Sequence, residues 1–367
     1  MKGMRKICGS LLCLALLFGC LGSLAKIGAV TENSNAIVSE EMISGGGVSS
    51  EQSSVLPKTD AENAELTEKK SESLEKDANS TDTAYDSYND APRCGATAAD
   101  VEGITEVQTA AGLAPPSTSA ACAVLTDGTG DTLFAREAER KAYPASTTKI
   151  MTALVVLETL DELGLSIDSE IIVPQEAVGI EGSSIYLKKG ERLSIEELLY
   201  GLMLQSGNDS ATALAICVGG SLSDFVRQMN DKAAELGCTG THFTNPSGLY
   251  DENHYTTAAD LARIAHAAMQ REDFRRIVSA KTWQSGDSSR SFYNKNKTIH
   301  QYEGATGVKI GFTKASGRTL VAAAERNGEE MIAVVLQDGN WFQDAYALMD
   351  YGFALKESSK GETENGI

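Results

Sequence analysis

Apolar residues fall in short continuous blocks near both ends of the stretch from Ala120 to Leu355, and at helical spacing between those blocks. Residues 121–126 (ACAVLT) read as a strand, Asp127-Gly128-Thr129-Gly130 as a turn, and 132–135 (TLFA) as the returning strand of a hairpin. Over 147–163, 195–204, 209–218, 222–236 and 257–269 the apolar positions recur every three to four residues, which predicts helices. Residues 308–310, 319–324 (TLVAAA) and 331–336 (MIAVVL) then read as strands, and 341–355 as a closing helix. Strands at both ends with helices between predict an α/β (α+β) domain. Its sheet is assembled from the two termini, a helical lobe is inserted, and a cleft between the two is the natural site.

Ahead of this domain the chain changes character twice. Lys2, Arg5 and Lys6 precede an apolar run over 11–18, and Ser23-Leu24-Ala25 follows as an A-x-A-like cleavage site, so 1–25 read as a secretory signal. Leu17-Phe18-Gly19-Cys20 also resembles a lipobox, and an uncleaved anchor is a third reading. All three place the working domain outside the cytoplasm, secreted or tethered on the cell-wall side. Residues 31–119 are rich in Ser, Thr, Glu, Asp and Asn, lack periodicity, and carry about twelve of the net −19 charges of the 367-residue chain. Such a segment buries too little apolar surface to offset its chain entropy. An acidic, disordered linker is therefore expected over 26–118, either a stalk or a plain spacer. The domain follows over 119–356, with a short tail over 357–367.

The acidic balance argues against nucleic acid as a partner. Of seven cysteines, Cys8, Cys13 and Cys20 fall in the leader and Cys94 in the linker, leaving Cys122, Cys217 and Cys238 in the domain. Their odd number, apolar surroundings and lack of a C-x-x-C pair predict buried free thiols, with no metal centre and no cofactor.

Three short motifs carry the candidate chemistry. Ser146-Thr147-Thr148-Lys149 opens the first helix, Ser206-Gly207-Asn208 stands 60 residues on between two helices, and Lys309-Ile310-Gly311 lies on a strand 103 residues further. Singly each is weak: Ser73-Leu74-Glu75-Lys76, Ser87-Tyr88-Asn89 and Lys188-Lys189-Gly190 repeat the same spacings. Only the first set sits in apolar, periodic sequence. A serine and a lysine three apart share a helix face, so Lys149 is placed to take the Ser146 proton once burial or a second cation such as Lys309 has made its amine neutral. Ser206 suits a proton relay to a leaving amine, and the Asn208 amide suits binding a peptide carbonyl and orienting Lys149. Asp209 reads as the cap of the following helix. Lys309 and Gly311 share one strand face, where the lysine suits a carboxylate and the glycine admits a substrate backbone. Each also has a plainer reading, as cap, turn or solvated edge-strand lysine.

With these motifs in their order, the chain resembles the serine D-alanyl-D-alanine carboxypeptidases among the low-molecular-mass penicillin-binding proteins. The resemblance spans about Ala120 to Leu355 and rests on longer strings: 143–149 (YPASTTK), 198–211 (LLYGLMLQSGNDSA), 243–257 (FTNPSGLYDENHYTT), Asn294-Lys295-Asn296 and 307–320 (GVKIGFTKASGRTL). It implies a five-stranded antiparallel sheet with flanking helices, as in serine β-lactamases and DD-peptidases. It implies Ser146 as acylated nucleophile, Lys149 as general base, Ser206 and Asn208 as second motif, Lys309 as carboxylate binder, and the N–H groups of Ser146 and Phe312 as oxyanion hole. The implied substrates are peptidoglycan stem peptides, with β-lactam antibiotics as acylating mimics. A class A β-lactamase is an alternative, although no deacylating glutamate loop is identifiable. A weakened wall-binding relative is another. Ile310 stands where the family usually has threonine. The lost hydroxyl is expected to weaken carboxylate binding by about 1.5–3 kcal/mol, with Thr313 as a substitute donor. Many relatives continue into a β-rich domain and a C-terminal anchor, so any membrane tether is expected at the N-terminus.

Overall fold

The computed structural model describes residues 113–364. The expected signal over 1–25, most of the expected linker over 26–118, four of the cysteines and the first two decoy motifs lie outside the described residues. Residues 113–118 carry no regular secondary structure. The Thr118 hydroxyl and the Ser119 N–H both donate to Asp344 Oδ2, at 2.9 and 2.6 Å, so the chain is tied to the domain from Thr118 onward.

In chain order the elements are strands β1 (Cys122–Asp127) and β2 (Thr132–Arg136), helix α1 (Lys149–Leu163), and strands β3 (Glu170–Ile172) and β4 (Arg192–Ser194). Helices α2 (Ile195–Leu204), α3 (Asn208–Gly219), α4 (Leu222–Glu235), α5 (Ala258–Met269) and α6 (Glu272–Ser279) follow. Then come strands β5 (Thr282–Gln284) and β6 (Ser291–Tyr293), the short helix α7 (Thr298–Gln301), strands β7 (Ala305–Thr313), β8 (Gly317–Arg326) and β9 (Glu329–Leu336), and helix α8 (Trp341–Glu364). The five-stranded sheet runs β2-β1-β9-β8-β7 and is antiparallel throughout. Its outer members come from opposite ends of the domain, which is the assembly the hydrophobic pattern predicts.

Both faces of this sheet are covered, so its central strands read as continuous apolar runs rather than alternating ones. Alternation is still present in the packing. Ile332, Val334 and Leu336 of β9 join Val321 and Ala323 of β8 in a core shared with the helices of the lobe. Met331, Ala333 and Val335 join Leu320 and Ala322 in a second core beneath Trp341, Phe342, Leu348, Met349 and Phe353 of α8. Side-chain caps start the lobe helices: Ser194 Oγ accepts from Glu197 N–H at 3.1 Å and Thr257 Oγ1 from Asp260 N–H at 3.0 Å.

Two expectations are corrected, and three features carry no sequence signal. Helix α8 does not stop near Leu355 but continues to Glu364, through most of the expected tail. Cys122 and Cys238 are buried free thiols, whereas Cys217 is exposed, because the inward face of α3 falls to Ala213, Leu214, Ala215 and Val218. The hairpins β3–β4 and β5–β6 and helix α6 carry no sequence signal of their own. Three-residue strands are too short to show a period, and α6 buries only Phe274, Ile277 and Val278 among charged residues.

Candidate active site

The nucleophile motif is a tight turn before α1 rather than its first helical turn. Residues Ala145–Thr148 form a 3-10 helix that runs into Lys149. Ala145 holds φ +49°, a left-handed conformation that costs a residue with a Cβ about 1–3 kcal/mol unless its surroundings impose it. Here they do. The Pro144 carbonyl accepts from Thr147 Oγ1 at 2.7 Å, from Thr147 N–H at 3.3 Å and from Thr319 Oγ1 of β8 at 3.1 Å. From behind, Thr148 Oγ1 meets His254 Nε2 at 2.8 Å, while His254 Nδ1 accepts from Thr244 N–H at 3.0 Å. That pair of contacts puts the ring proton on Nε2. Burial pushes this histidine down to about 4, so it stays neutral at neutral pH.

Residues three apart eclipse in 3-10 geometry, and Lys149 Nζ lies 3.0 Å from Ser146 Oγ. Its two other contacts are Asn208 Oδ1 at 2.7 Å and the Ser247 carbonyl at 2.6 Å. Lys149 is fully buried, whereas Ser146 reaches solvent. Burial holds the lysine well below its ordinary range. The positive charge of Lys309 adds to this, Asp209 opposes it, and Lys295 contributes further. A neutral amine has two N–H bonds and one lone pair. The two fixed carbonyl-type acceptors take both N–H bonds, which leaves the lone pair facing the Ser146 hydroxyl.

Both acceptors are themselves held. Asn208 donates from Nδ2 to the Glu181 carbonyl at 2.7 Å, which fixes its amide with Oδ1 toward the lysine. Asn208 Oδ1 thus faces the lysine, with one amide hydrogen committed to Glu181. Ser247 lies in a loop pinned by Asn245 Oδ1, which accepts from Ser247, Gly248 and Leu249 N–H at 3.2, 2.8 and 3.1 Å. Gly248, at φ +83°, is obligatory there, because a Cβ would stand 1.9 Å from the Ala145 carbonyl. Asp209 is not the cap the sequence suggests. Its buried carboxylate accepts from Ile185 and Leu187 N–H, each at 3.1 Å, and from Ser184 Oγ at 2.6 Å, holding the 181–187 loop against α3.

Ser206 sits between α2 and α3 at φ +63°, buried, and makes no hydrogen bond to Ser146 or Lys149. Opposite it, β7 brings Lys309 and Gly311 to the same side. They pair with Val321 and Thr319, both on the lobe face of β8. Lys309 is buried and donates to the Ile310 carbonyl at 3.1 Å. Burial, with the charge of Lys295, lowers it to about 7. Gly311 makes room for the protein itself rather than for a substrate backbone alone, since a Cβ there would lie 2.9 Å from Ser146 N and 2.5 Å from Thr319 Oγ1. Phe312 follows, paired with Arg318, and the close approach of Gly311 to Ser146 N sets this strand beside the Ser146 amide.

Two expectations about this strand do not hold. Ile310 pairs with Leu320 and is buried in the core beneath α8, on the face away from the cleft, so its methyl groups replace no cleft hydroxyl. The Thr313 hydroxyl is occupied in the β7–β8 turn, donating to Ser316 Oγ at 2.9 Å and accepting from Ser316 N–H at 3.0 Å. The decoy Lys188-Lys189-Gly190 lies in an exposed turn before β4. Sequence reasoning gave no role to Lys295, the Ser247 carbonyl, His254 or Thr319, and gave Asp209 only that of a cap. All lie in the strings singled out by resemblance, Thr319 in the last of them.

The profile of a family described as D-alanyl-D-alanine carboxypeptidase matches residues 108–340. The D-alanyl-D-alanine carboxypeptidase DacF of Bacillus subtilis is 36% identical over 210 residues, and the match spans 56% of this chain and 54% of that protein. A D-alanyl-D-alanine carboxypeptidase from a Streptomyces strain is 34% identical over 252 residues, 63% of this chain and 86% of that protein. The chain thus spans about half the length of the Bacillus relative and most of the Streptomyces one. Among solved structures, a D-alanyl-D-alanine carboxypeptidase from Mycobacterium tuberculosis superposes with TM-score 0.63 at 33% identity, over 68% of this chain and 96% of that one. A Streptomyces DD-transpeptidase gives TM-score 0.61 at 32% identity, over 66% and 100%.

Proposed function

The chain belongs to the D-alanyl-D-alanine carboxypeptidase family of serine peptidases, and from that premise we propose that it removes the terminal D-alanine from peptidoglycan stem peptides through an acyl-serine intermediate. The family acts on the cell wall, outside the cytoplasm, and binds penicillin.

One observation carries the reading: a fully buried lysine whose nitrogen lies 3.0 Å from a solvent-reachable serine hydroxyl, with two fixed acceptors on its other side. Neutral Lys149 takes the Ser146 proton. Ser146 Oγ attacks the carbonyl of the penultimate D-alanine. The N–H groups of Ser146 and Phe312 receive the developing oxyanion, and Lys309 holds the terminal carboxylate. The proton passes from Lys149 through Ser206 to the departing amine, the C–N bond breaks, and D-alanine leaves. Water, deprotonated by Lys149, then releases the shortened peptide and restores Ser146. The β-lactamase reading is less well supported, because among the described residues no carboxylate hydrogen-bonds the Ser146 hydroxyl or the Lys149 amine.

The test is to incubate the protein with a stem pentapeptide ending in D-alanyl-D-alanine and measure released D-alanine, with covalent labelling by a fluorescent penicillin in parallel. Both are expected for the native protein and neither for Ser146→Ala. A native protein that does neither has no acyl-transfer activity of this kind.

A further inference from the structure

The carboxyl end of α2 is bound by a segment from outside the three motifs. Gln205 Nε2 donates to the Tyr293 carbonyl at 2.9 Å. The Lys295 N–H donates to the Leu204 carbonyl at 3.2 Å, and Lys295 Nζ donates to the Gln205 carbonyl at 3.2 Å. A helix leaves its last carbonyls without intrahelical partners, and they carry partial negative charge that favours a cation. Lys295 meets two of them, one with its backbone and one with its ammonium. The Gln205 carbonyl belongs to the peptide group whose nitrogen is that of Ser206, the residue held at φ +63°.

The segment that delivers this lysine is rigid. Asn294 Nδ2 donates to the Val278 and Ala280 carbonyls at 3.2 and 2.9 Å, and its Oδ1 accepts from Asn296 N–H at 3.0 Å. Lys295 therefore stands between two fixed asparagines and is half-buried. No carboxylate pairs with it among the described residues. Its positive charge acts on Lys149 of α1 and on Lys309 of β7.

We propose that Lys295 is a positioning residue of the acyl-transfer site: its ammonium, bound to the Gln205 carbonyl at the carboxyl end of α2, fixes the turn that presents Ser206. The inference rests on the proposed acyl-transfer reading. The hydrogen bond to Gln205 sets where the Ser206 hydroxyl stands for proton delivery to the leaving amine. The charge acts on Lys149 at longer range, in a buried site where screening is weak.

The experiment measures acylation by benzylpenicillin as a function of pH in the native protein, Lys295→Met, Lys295→Arg and Lys295→Gln, with each variant's fold checked by circular dichroism. Acylation rises with pH as Lys149 loses its proton. Removal of a neighbouring positive charge raises the pKa of Lys149 and moves that acid limb to higher pH. The Met variant is expected to slow acylation about tenfold across the pH range, because Ser206 is misplaced, and to move the limb to higher pH. Arg restores the limb. Gln stands in for Met if Met does not fold. A Met or Gln variant acylated at the native rate across the pH range would overturn the inference, as would an Arg variant as slow as Met. If the native protein is not acylated at all, it is the proposed function that fails.

Discussion

The two faces of β7 sort its residues into different trades. Lys309 and Gly311 face the lobe, where the neighbours are the Ser146 turn, two further lysines and a serine held at positive φ. Ile310, one residue along, faces α8 in a core of Leu320, Val335, Phe342 and Leu348. The lobe face buries cations and holds Ala145 and Ser206 in strained conformations, all of which cost stability. The face under α8 has none of these features and supplies apolar burial. The lesson is positional. A departure from a family motif has consequences set by which face it lands on, and a change one residue away belongs to a different function.

Substitutions can break this division. The largest effect is expected on the lobe face. Lys149→Ala should slow acylation by about 10²–10⁴-fold, with Lys149→Arg nearly as harmful because guanidinium stays protonated. Unfolding by urea should change far less than rate. Near-normal acylation in the Arg variant would remove Lys149 from the role of base.

Next comes the opposite face. Leu348→Ala should cost about 2–5 kcal/mol of stability by leaving a cavity beneath α8. Its acylation rate, measured at a temperature where it is folded, should match the native protein. A large drop in rate without loss of stability would mean the two faces are coupled.

His254 tests how the lobe is held. Its folded value of about 4 lies below the ordinary value near 6.5, so the unfolded chain binds the proton first. Stability from this group is complete above about pH 6.5 and is lost as pH falls toward 4, roughly 3 kcal/mol in total. Urea unfolding between these limits should show a steeper pH dependence for the native protein than for His254→Gln. Equal slopes would show that the buried imidazole does not govern this range.

Lys309 gives a sharper reading of the cleft. With its pKa at about 7, it is charged below that pH and loses its proton above it. kcat/KM for peptides ending in a free carboxylate should therefore fall as pH rises through about 7, and Lys309→Arg should abolish that limb. A limb that persists in the Arg variant belongs to another group.

The smallest effect is expected at Ile310. Since its side chain lies beneath α8, Ile310→Thr should leave kcat/KM for D-Ala-D-Ala peptides within about twofold and cost about 1–3 kcal/mol by burying a hydroxyl. A several-fold rise in kcat/KM would mean that residue 310 does reach the carboxylate.

The hydrophobic pattern by itself determined the order of elements, the sheet built from both termini and the lobe between them. Period and run length are local properties, and each long element carries enough positions to show them. The motifs and their surrounding strings named Ser146, Lys149, Ser206, Asn208 and Lys309, because helix and strand spacing alone put Lys149 beside Ser146 and Lys309 on one face with Gly311. What the sequence could not carry was any contact made across the fold. That Asp209 holds the 181–187 loop instead of capping a helix, that Thr313 is spent in its own turn, and that Ile310 lies in the α8 core all depend on which element arrives opposite. The second acceptor around Lys149 is a backbone carbonyl, a group every residue has. Only the tertiary structure could select Ser247 for it, and only the fold could carry Lys295 to the carboxyl end of α2.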